Sequence, residues 1–387
     1  MPWRSMQAGY HFVFNFLLPR PFKDTIMTSL VFAPRHGRAP DSHASTFLSR
    51  PAGARHGLTL LRSWALSSLL LLIGLVFSTL AFAASKTLPG PVVSVDALEN
   101  LIGKQAVAVL DLRPLFKEDK KTPIFGAGHI PGALPAPYGK FRGTKTNPGQ
   151  LPDEKEFSAF ISGLGLQKNQ PIVIVSEGKT GTDFGAAARV YWTLKIAGFE
   201  DLAVLDGGLA AWLAAKKPLA TGLPSLVAKP ISVSFDRSQI VTVDQVQSLT
   251  QAGASESRLL DARPESFYKG DVRHPAAARW GTLPGANHFD SEEWFQPKTG
   301  LLKPLDSIRS VAQAKGLLAS DDKVSFCNTG HWAATNWFVL SEILGQSGTR
   351  LYPDSMVAWS NAGLPMQNEP GRATALFRQL LGTGLPK

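Results

Sequence analysis

Two kinds of apolar pattern alternate between about residue 90 and residue 366. Short continuous runs, such as Ala108-Val109-Leu110 and Ile172-Val173-Ile174-Val175, are bounded by charged or turn-forming residues. Runs of that length and kind are expected of strands buried on both faces. Between them, apolar residues return every three or four positions, the period of a helix lying against a core. Strand and helix patterns in alternation predict an α/β fold with mostly parallel sheets covered by helices on both faces.

The pattern occurs twice. Val93-Ser94-Val95-Asp96-Ala97-Leu98 opens one copy and Val241-Thr242-Val243-Asp244-Gln245-Val246 the other, each with an Asp expected to cap a helix. A buried strand ending in D-x-R-P follows in both, through Asp111 and Arg113 and through Asp261 and Arg263. Gly128-His129-Ile130-Pro131-Gly132-Ala133 then matches Gly281-Thr282-Leu283-Pro284-Gly285-Ala286, and Val204 to Trp212 matches Leu351 to Trp359. The expected organisation is a first domain over 90–218, a linker over 219–230, a second domain over 231–368 and a tail over 369–387 that docks across the copies. Because D-x-R recurs in both, Asp261 and Arg263 are expected to form a structural ion pair that anchors a loop.

One position breaks the symmetry. The only cysteine of the chain, Cys327, follows the strand pattern of Lys323 to Phe326, and a helical pattern runs from Trp337 to Leu344. Its counterpart is Ser176. A thiol where a strand ends and a helix is about to begin faces converging backbone N–H groups, and the thiolate is the nucleophilic form. The offset between copies is 151 at Cys327 but 147 from Gly345 onward, so the first copy has four extra residues, expected in its loop between Ser176 and Asp183. A longer loop carrying Glu177 and Asp183 is expected to be catalytically silent.

Composition narrows the reading. With 44% hydrophobic and 18% charged residues the 387-residue chain is globular, and a single cysteine excludes intramolecular disulfides and Cys-based zinc sites. The net charge of +10 would suit a nucleic-acid partner. However, residues 1–83 hold eight of the basic side chains and only two acids, so the remainder is mildly basic, with no basic stripe interleaved with aromatics. Nucleic-acid binding is not expected. Ala65 to Leu80 lacks charge, follows Arg55 and Arg62, and precedes Ala81-Phe82-Ala83. That is the form of a secretory signal over 58–83, with cleavage expected after Ala83 and a periplasmic or secreted mature chain without stable membrane association. An uncleaved anchor over 65–80 is the alternative. Residues 1–57 are assigned no fold, being either an unstructured extension or sequence upstream of the true start.

The duplicated D-x-R, the G-H-I-P-G-A of the first copy, L-D-G-G-L-A-A-W and Cys327 at the head of a six-residue loop together resemble the rhodanese family, specifically its tandem-domain sulfurtransferases. The resemblance covers Val92 to about Met366. It implies two similar α/β domains, the first inactive, and a persulfide formed on Cys327 by a donor such as thiosulfate or 3-mercaptopyruvate. The persulfide would be cradled by backbone N–H groups of Asn328, Thr329, Gly330, His331 and Trp332 and discharged to an acceptor thiol or cyanide. No metal or cofactor is implied. The sequence departs from the family where donors bind. The loop after Cys327 has no permanent cation, and Phe267 stands where many members have Arg. Anion recognition is therefore expected from Arg273, His274 or Arg279, unless these form a solvated basic loop. His331 is expected to act as a partial cation beside the thiolate, as a hydrogen-bonding group for the acceptor, or as loop surface; Trp332 and Trp337 are expected to pack. A related phosphatase would need Arg six residues after the cysteine, where Ala333 stands. A persulfide carrier without turnover is the remaining alternative.

Overall fold

The computed structural model describes residues 87–251, 258–381 and 384. The expected leader with its cleavage site, and residues 1–57, lie outside them. In the first copy the order is β1 (Val92–Val93), α1 (Val95–Gly103), β2 (Ala108–Asp111), β3 (Ala133–Pro135), a 3-10 turn (Tyr138–Phe141), α2 (Glu154–Gly163), β4 (Ile172–Val175), α3 (Gly181–Ile196), β5 (Leu202–Leu205) and α4 (Gly208–Ala214). The strands form one parallel sheet in the order β1-β5-β4-β2-β3. Every residue of β2, β4 and β5 is buried, as continuous apolar runs in a doubly covered sheet require.

The second copy follows the same plan with α5 (Val243–Gln251), β6 (Leu259–Asp261), α6 (Glu265–Tyr268), β7 (Asn287–His288), a 3-10 turn (Ser291–Trp294), α7 (Leu305–Ala314), β8 (Val324–Phe326), α8 (Trp332–Trp337), β9 (Arg350–Leu351), α9 (Ser355–Asn361) and α10 (Arg372–Leu380). Its parallel sheet runs β7-β6-β8-β9, and a parallel bridge from Ile240 to Leu351 stands where β1 lies in the first copy. Among the described residues no helix is long and apolar enough to cross a membrane.

Four expectations change. The cap of α1 is Ser94, whose side chain accepts the N–H of Ala97, and Asp96 sits in the first turn instead. Thr242 takes the matching role before α5, exchanging hydrogen bonds with Gln245. Residues 231–236 dock on the first copy rather than opening the second. Val233 N–H reaches Ser158 Oγ, Phe235 N–H reaches Glu154, and Phe235 packs against Phe157. The described part of the tail contacts the second copy: Glu369 pairs with Arg279, Arg378 donates to Gly270 O, and Gly384 O accepts from Arg273 N–H.

The extra four residues of the first copy are not in the loop. β4 and α3 are separated by residues 176–180, and β8 and α8 by residues 327–331, five in each case. The difference lies in the helix: α3 has 16 residues, whereas the six of α8 are followed by six in π-helical form, Phe338–Ile343. The helix after Cys327 therefore starts at Trp332, earlier than its apolar period suggests, and carries a π segment of the kind that recurs near functional sites.

α3 and α8 also join the copies. Phe184 and Tyr191 meet Phe338 edge to face, and both copies contribute to one continuous apolar core. Glu342, on the π segment, accepts from Tyr191 Oη and pairs with Lys195 at 2.7 Å. Gly185 of α3 is small for a reason: an added Cβ would lie 2.9 Å from His331 Nε2.

Candidate active site

The loop after β8 is held by its neighbours before any chemistry is considered. The carbonyls of Cys327 and Asn328 accept the N–H groups of Met356 and Val357 at the start of α9. Ser355 is buried, with φ +54°, and its Oγ accepts from the backbone N–H of Cys327 (3.1 Å) and of Gly330 (3.2 Å) while donating to Tyr352 O. Gly330 itself has φ +65°, and a Cβ there would strike Arg189 and the carbonyl of Pro353. From below, Arg263 forms a two-pronged, fully buried ion pair with Asp261 and extends Nη1 to Asn328 Oδ1 at 3.3 Å. The D-x-R pair thus reaches the loop through Asn328. In the first copy Arg113 pairs with Asp111 in the same way.

Cys327 is buried, with 1% of its surface exposed. The His331 N–H points at Sγ from 3.2 Å. Of the five N–H groups expected to cradle a sulfur anion, this is the one seen on Sγ; that of Gly330 is taken by Ser355. His331 is not a cation. Burial, with the positive charges of Arg142 and Arg189, holds its imidazole down at about 3. Both ring nitrogens are engaged: Nε2 bonds the carbonyl of Thr182 at 2.8 Å, and Nδ1 bonds the Tyr138 hydroxyl at 2.7 Å. A carbonyl can only accept, so Nε2 carries the proton and Tyr138 donates to Nδ1. Trp332 bonds Thr182 Oγ1 and packs on Phe267, and Trp337 is buried against Tyr191, so both pack as expected.

The three expected anion binders are otherwise occupied. Arg279 forms a two-pronged pair with Glu369. Arg273 donates to the carbonyl of Ala277 and lies over the Trp280 ring at 4.6 Å. His274 Nδ1 accepts from Ala276 N–H, and burial together with Arg142 lowers its tendency to protonate. Phe267, where an arginine was looked for, is buried beside the Arg263 guanidinium.

The cations at the loop come from the first copy, which sequence reading missed. Arg189, on α3, is 0% exposed and stacks on Trp192 at 5.0 Å. Its Nη1 donates to Gly330 O and its Nη2 to Gly149 O, while its buried Nε has no hydrogen-bond partner among the described residues. Among the described residues no carboxylate pairs with it; Asp354 lies within electrostatic range but accepts from Asn147. Burial and Arg142 hold its guanidinium down at about 10, which leaves it charged at neutral pH. Arg142, following the Tyr138–Phe141 turn, donates to Thr329 O at 2.8 Å and to Pro148 O at 2.9 Å and lies over the Tyr138 ring. A buried arginine without an acid is expensive unless another anion lies nearby. That oddity, an Arg within an apolar helix, was the sequence signal available. A cavity of about 550 Å³ lined by Arg258, His288, Lys315 and Lys323 shares no residue with this loop.

The two-sheet architecture and the cysteine loop define a duplicated α/β protein with one nucleophilic site. The chain belongs to the rhodanese family: the Rhodanese-like domain matches it twice, over residues 94–215 and 242–362. It is 28% identical to a thiosulfate sulfurtransferase of Azotobacter vinelandii, covering 61% of this chain and 84% of that protein. It is 24% identical to the sulfur carrier protein TtuD of Thermus thermophilus, covering 72% and 96%. The structure of SseA from Escherichia coli, a 3-mercaptopyruvate sulfotransferase, superposes with a TM-score of 0.58 at 24% identity, covering 69% of this chain and 98% of that one.

Proposed function

We propose that the protein is a sulfurtransferase that carries a sulfane sulfur as a persulfide on Cys327. The observation that carries this reading is a cysteine held under the His331 N–H, in a loop whose Gly330 carbonyl is bonded by a fully buried arginine with no carboxylate partner among the described residues. The thiolate attacks the outer sulfur of thiosulfate, the S–S bond of the donor breaks, and sulfite leaves with the electron pair. With 3-mercaptopyruvate the C–S bond breaks, and pyruvate leaves after taking up the thiol proton. In both cases Cys327 becomes Cys–S–S⁻, whose terminal sulfur carries the charge. Arg189 opposes that charge without solvent screening, and the hydrogen bonds already fixed in the loop need no rearrangement to stabilise it. A thiol acceptor or cyanide then takes the outer sulfur and returns the thiolate, a cycle with one nucleophile. His331 does not serve as the base, because Nε2–H is held by Thr182 and Nδ1 by Tyr138.

Mass spectrometry tests the reading. Thiosulfate or 3-mercaptopyruvate should add the mass of one sulfur atom to Cys327, and cyanide should remove it; no adduct with any donor would refute it. The sulfur-carrier name of the Thermus relative supports a second reading, in which the persulfide is passed to a protein partner. Multiple turnovers with thiosulfate and cyanide separate the two. The leader supports action outside the cytoplasm, which N-terminal sequencing of the mature chain would check by a start at Ala84.

A further inference from the structure

An anionic donor has to reach a cysteine that is 1% exposed, so it must pass the residues covering the loop. Those residues offer few usable charges. Arg263 is buried on Asp261, Arg279 is neutralised by Glu369, and Lys179 is paired with Glu177. Arg273 is locked onto carbonyls and Trp280. His331 is neutral, and Arg189 is sealed from solvent. Arg142 differs from all of them. It is half-buried, and no carboxylate pairs with it among the described residues. Two of its donors are committed to the carbonyls of Pro148 and Thr329, and a guanidinium has five. Thr329 is two residues from Cys327, and the same guanidinium acts on His331 and on His274 of the facing segment.

We propose that Arg142, from the copy without a cysteine, binds the anionic group of the sulfur donor, so that donor selection is made across the boundary between the copies. This rests on the sulfurtransferase reading. A planar guanidinium suits a sulfonate or carboxylate, which it can bind through two parallel N–H groups. Its attachment to Thr329 O fixes that group relative to Sγ, and the Tyr138 ring beneath it limits its movement.

Arg142→Met and Arg142→Lys test this in two assays. With thiosulfate as donor and cyanide as acceptor, Arg142→Met should raise KM about tenfold, the size of one charge-assisted hydrogen bond, and change kcat much less. Arg142→Lys should recover part of the loss. In the second assay, Cys327 is alkylated with anionic iodoacetate and with neutral iodoacetamide. The ratio of the two rates should fall about tenfold in Arg142→Met and partly return in Arg142→Lys. An unchanged KM and an unchanged ratio would overturn the proposal. So would equal slowing of both reagents, which would mean that Arg142 only props the loop. If the wild type forms no persulfide, the sulfurtransferase reading fails, while the alkylation ratio still decides whether Arg142 attracts anions to Cys327.

Discussion

The loops after β4 and β8 share a frame and differ in what fills it. Both have five residues, and in both the first two carbonyls accept N–H groups from the start of the helix after the next strand: Ser176 and Glu177 from Leu209 and Ala210, Cys327 and Asn328 from Met356 and Val357. The N–H that points at Sγ in the second copy is that of His331; its counterpart is that of Thr180, which points at Asp183 Oδ2. Lys179 N–H joins it on the same oxygen, and Thr180 and Asp183 close a capping box. The first loop has thus supplied its own anion. It was expected to be silent because it was longer and carried Glu177 and Asp183. It is the same length, and its donors are already satisfied by a carboxylate. The same copy contributes Arg189 and Arg142 to the other loop, so the copy without the cysteine still shapes the site.

The largest effect should come from exchanging the nucleophiles. Cys327→Ser should reduce sulfur transfer by at least about a thousandfold, because the covalent intermediate is lost. Ser176→Cys should take up no sulfur from thiosulfate, since Asp183 occupies the donors; a persulfide at residue 176 in mass spectra would break the comparison. Next is the charge from the first copy. Arg189→Met should lower kcat/KM for thiosulfate about a hundredfold, the usual loss when a buried stabiliser of negative charge is removed. Persulfidation should raise Tm in the wild type, where the new anion meets a buried cation, and raise it less in Arg189→Met; an equal rise would assign Arg189 to packing alone. Ser355→Ala removes the acceptor of two loop N–H groups and should destabilise the fold by about 1–2 kcal/mol in urea titration. The corresponding position in the first copy is Gly208, which has no hydroxyl to lose.

The last effect is a pH dependence, slight at neutral pH and growing toward acid. His331 protonates at its ordinary value of 6.5 in the unfolded chain, but only at about 3 in the folded one. Between those values the unfolded state binds the extra proton, so stability falls as pH drops through the window. His331→Gln should show a shallower decline of Tm over that range; parallel curves would mean that His331 is not held neutral.

Much of this was legible in the chain. Continuous apolar strands, the doubled D-x-R and the single cysteine determined two α/β copies and one nucleophile, because burial on two faces and covalent catalysis each demand particular residue types at particular positions. The ion pair of Asp261 and Arg263 could also be inferred, since a residue kept in both copies does not depend on the cysteine. The charges around Cys327 could not. Arg142 and Arg189 lie 185 and 138 residues before it; Arg189 stands out only as a charge within an apolar helix, and neither segment shows that it meets the cysteine loop. Only the packing of α3 on α8 brings them to the loop, and only the folded chain shows that Glu369 neutralises Arg279 and that burial keeps His331 uncharged. Whether a cation is free to act depends on its neighbours in space and on its contact with water, and tertiary structure alone decides both.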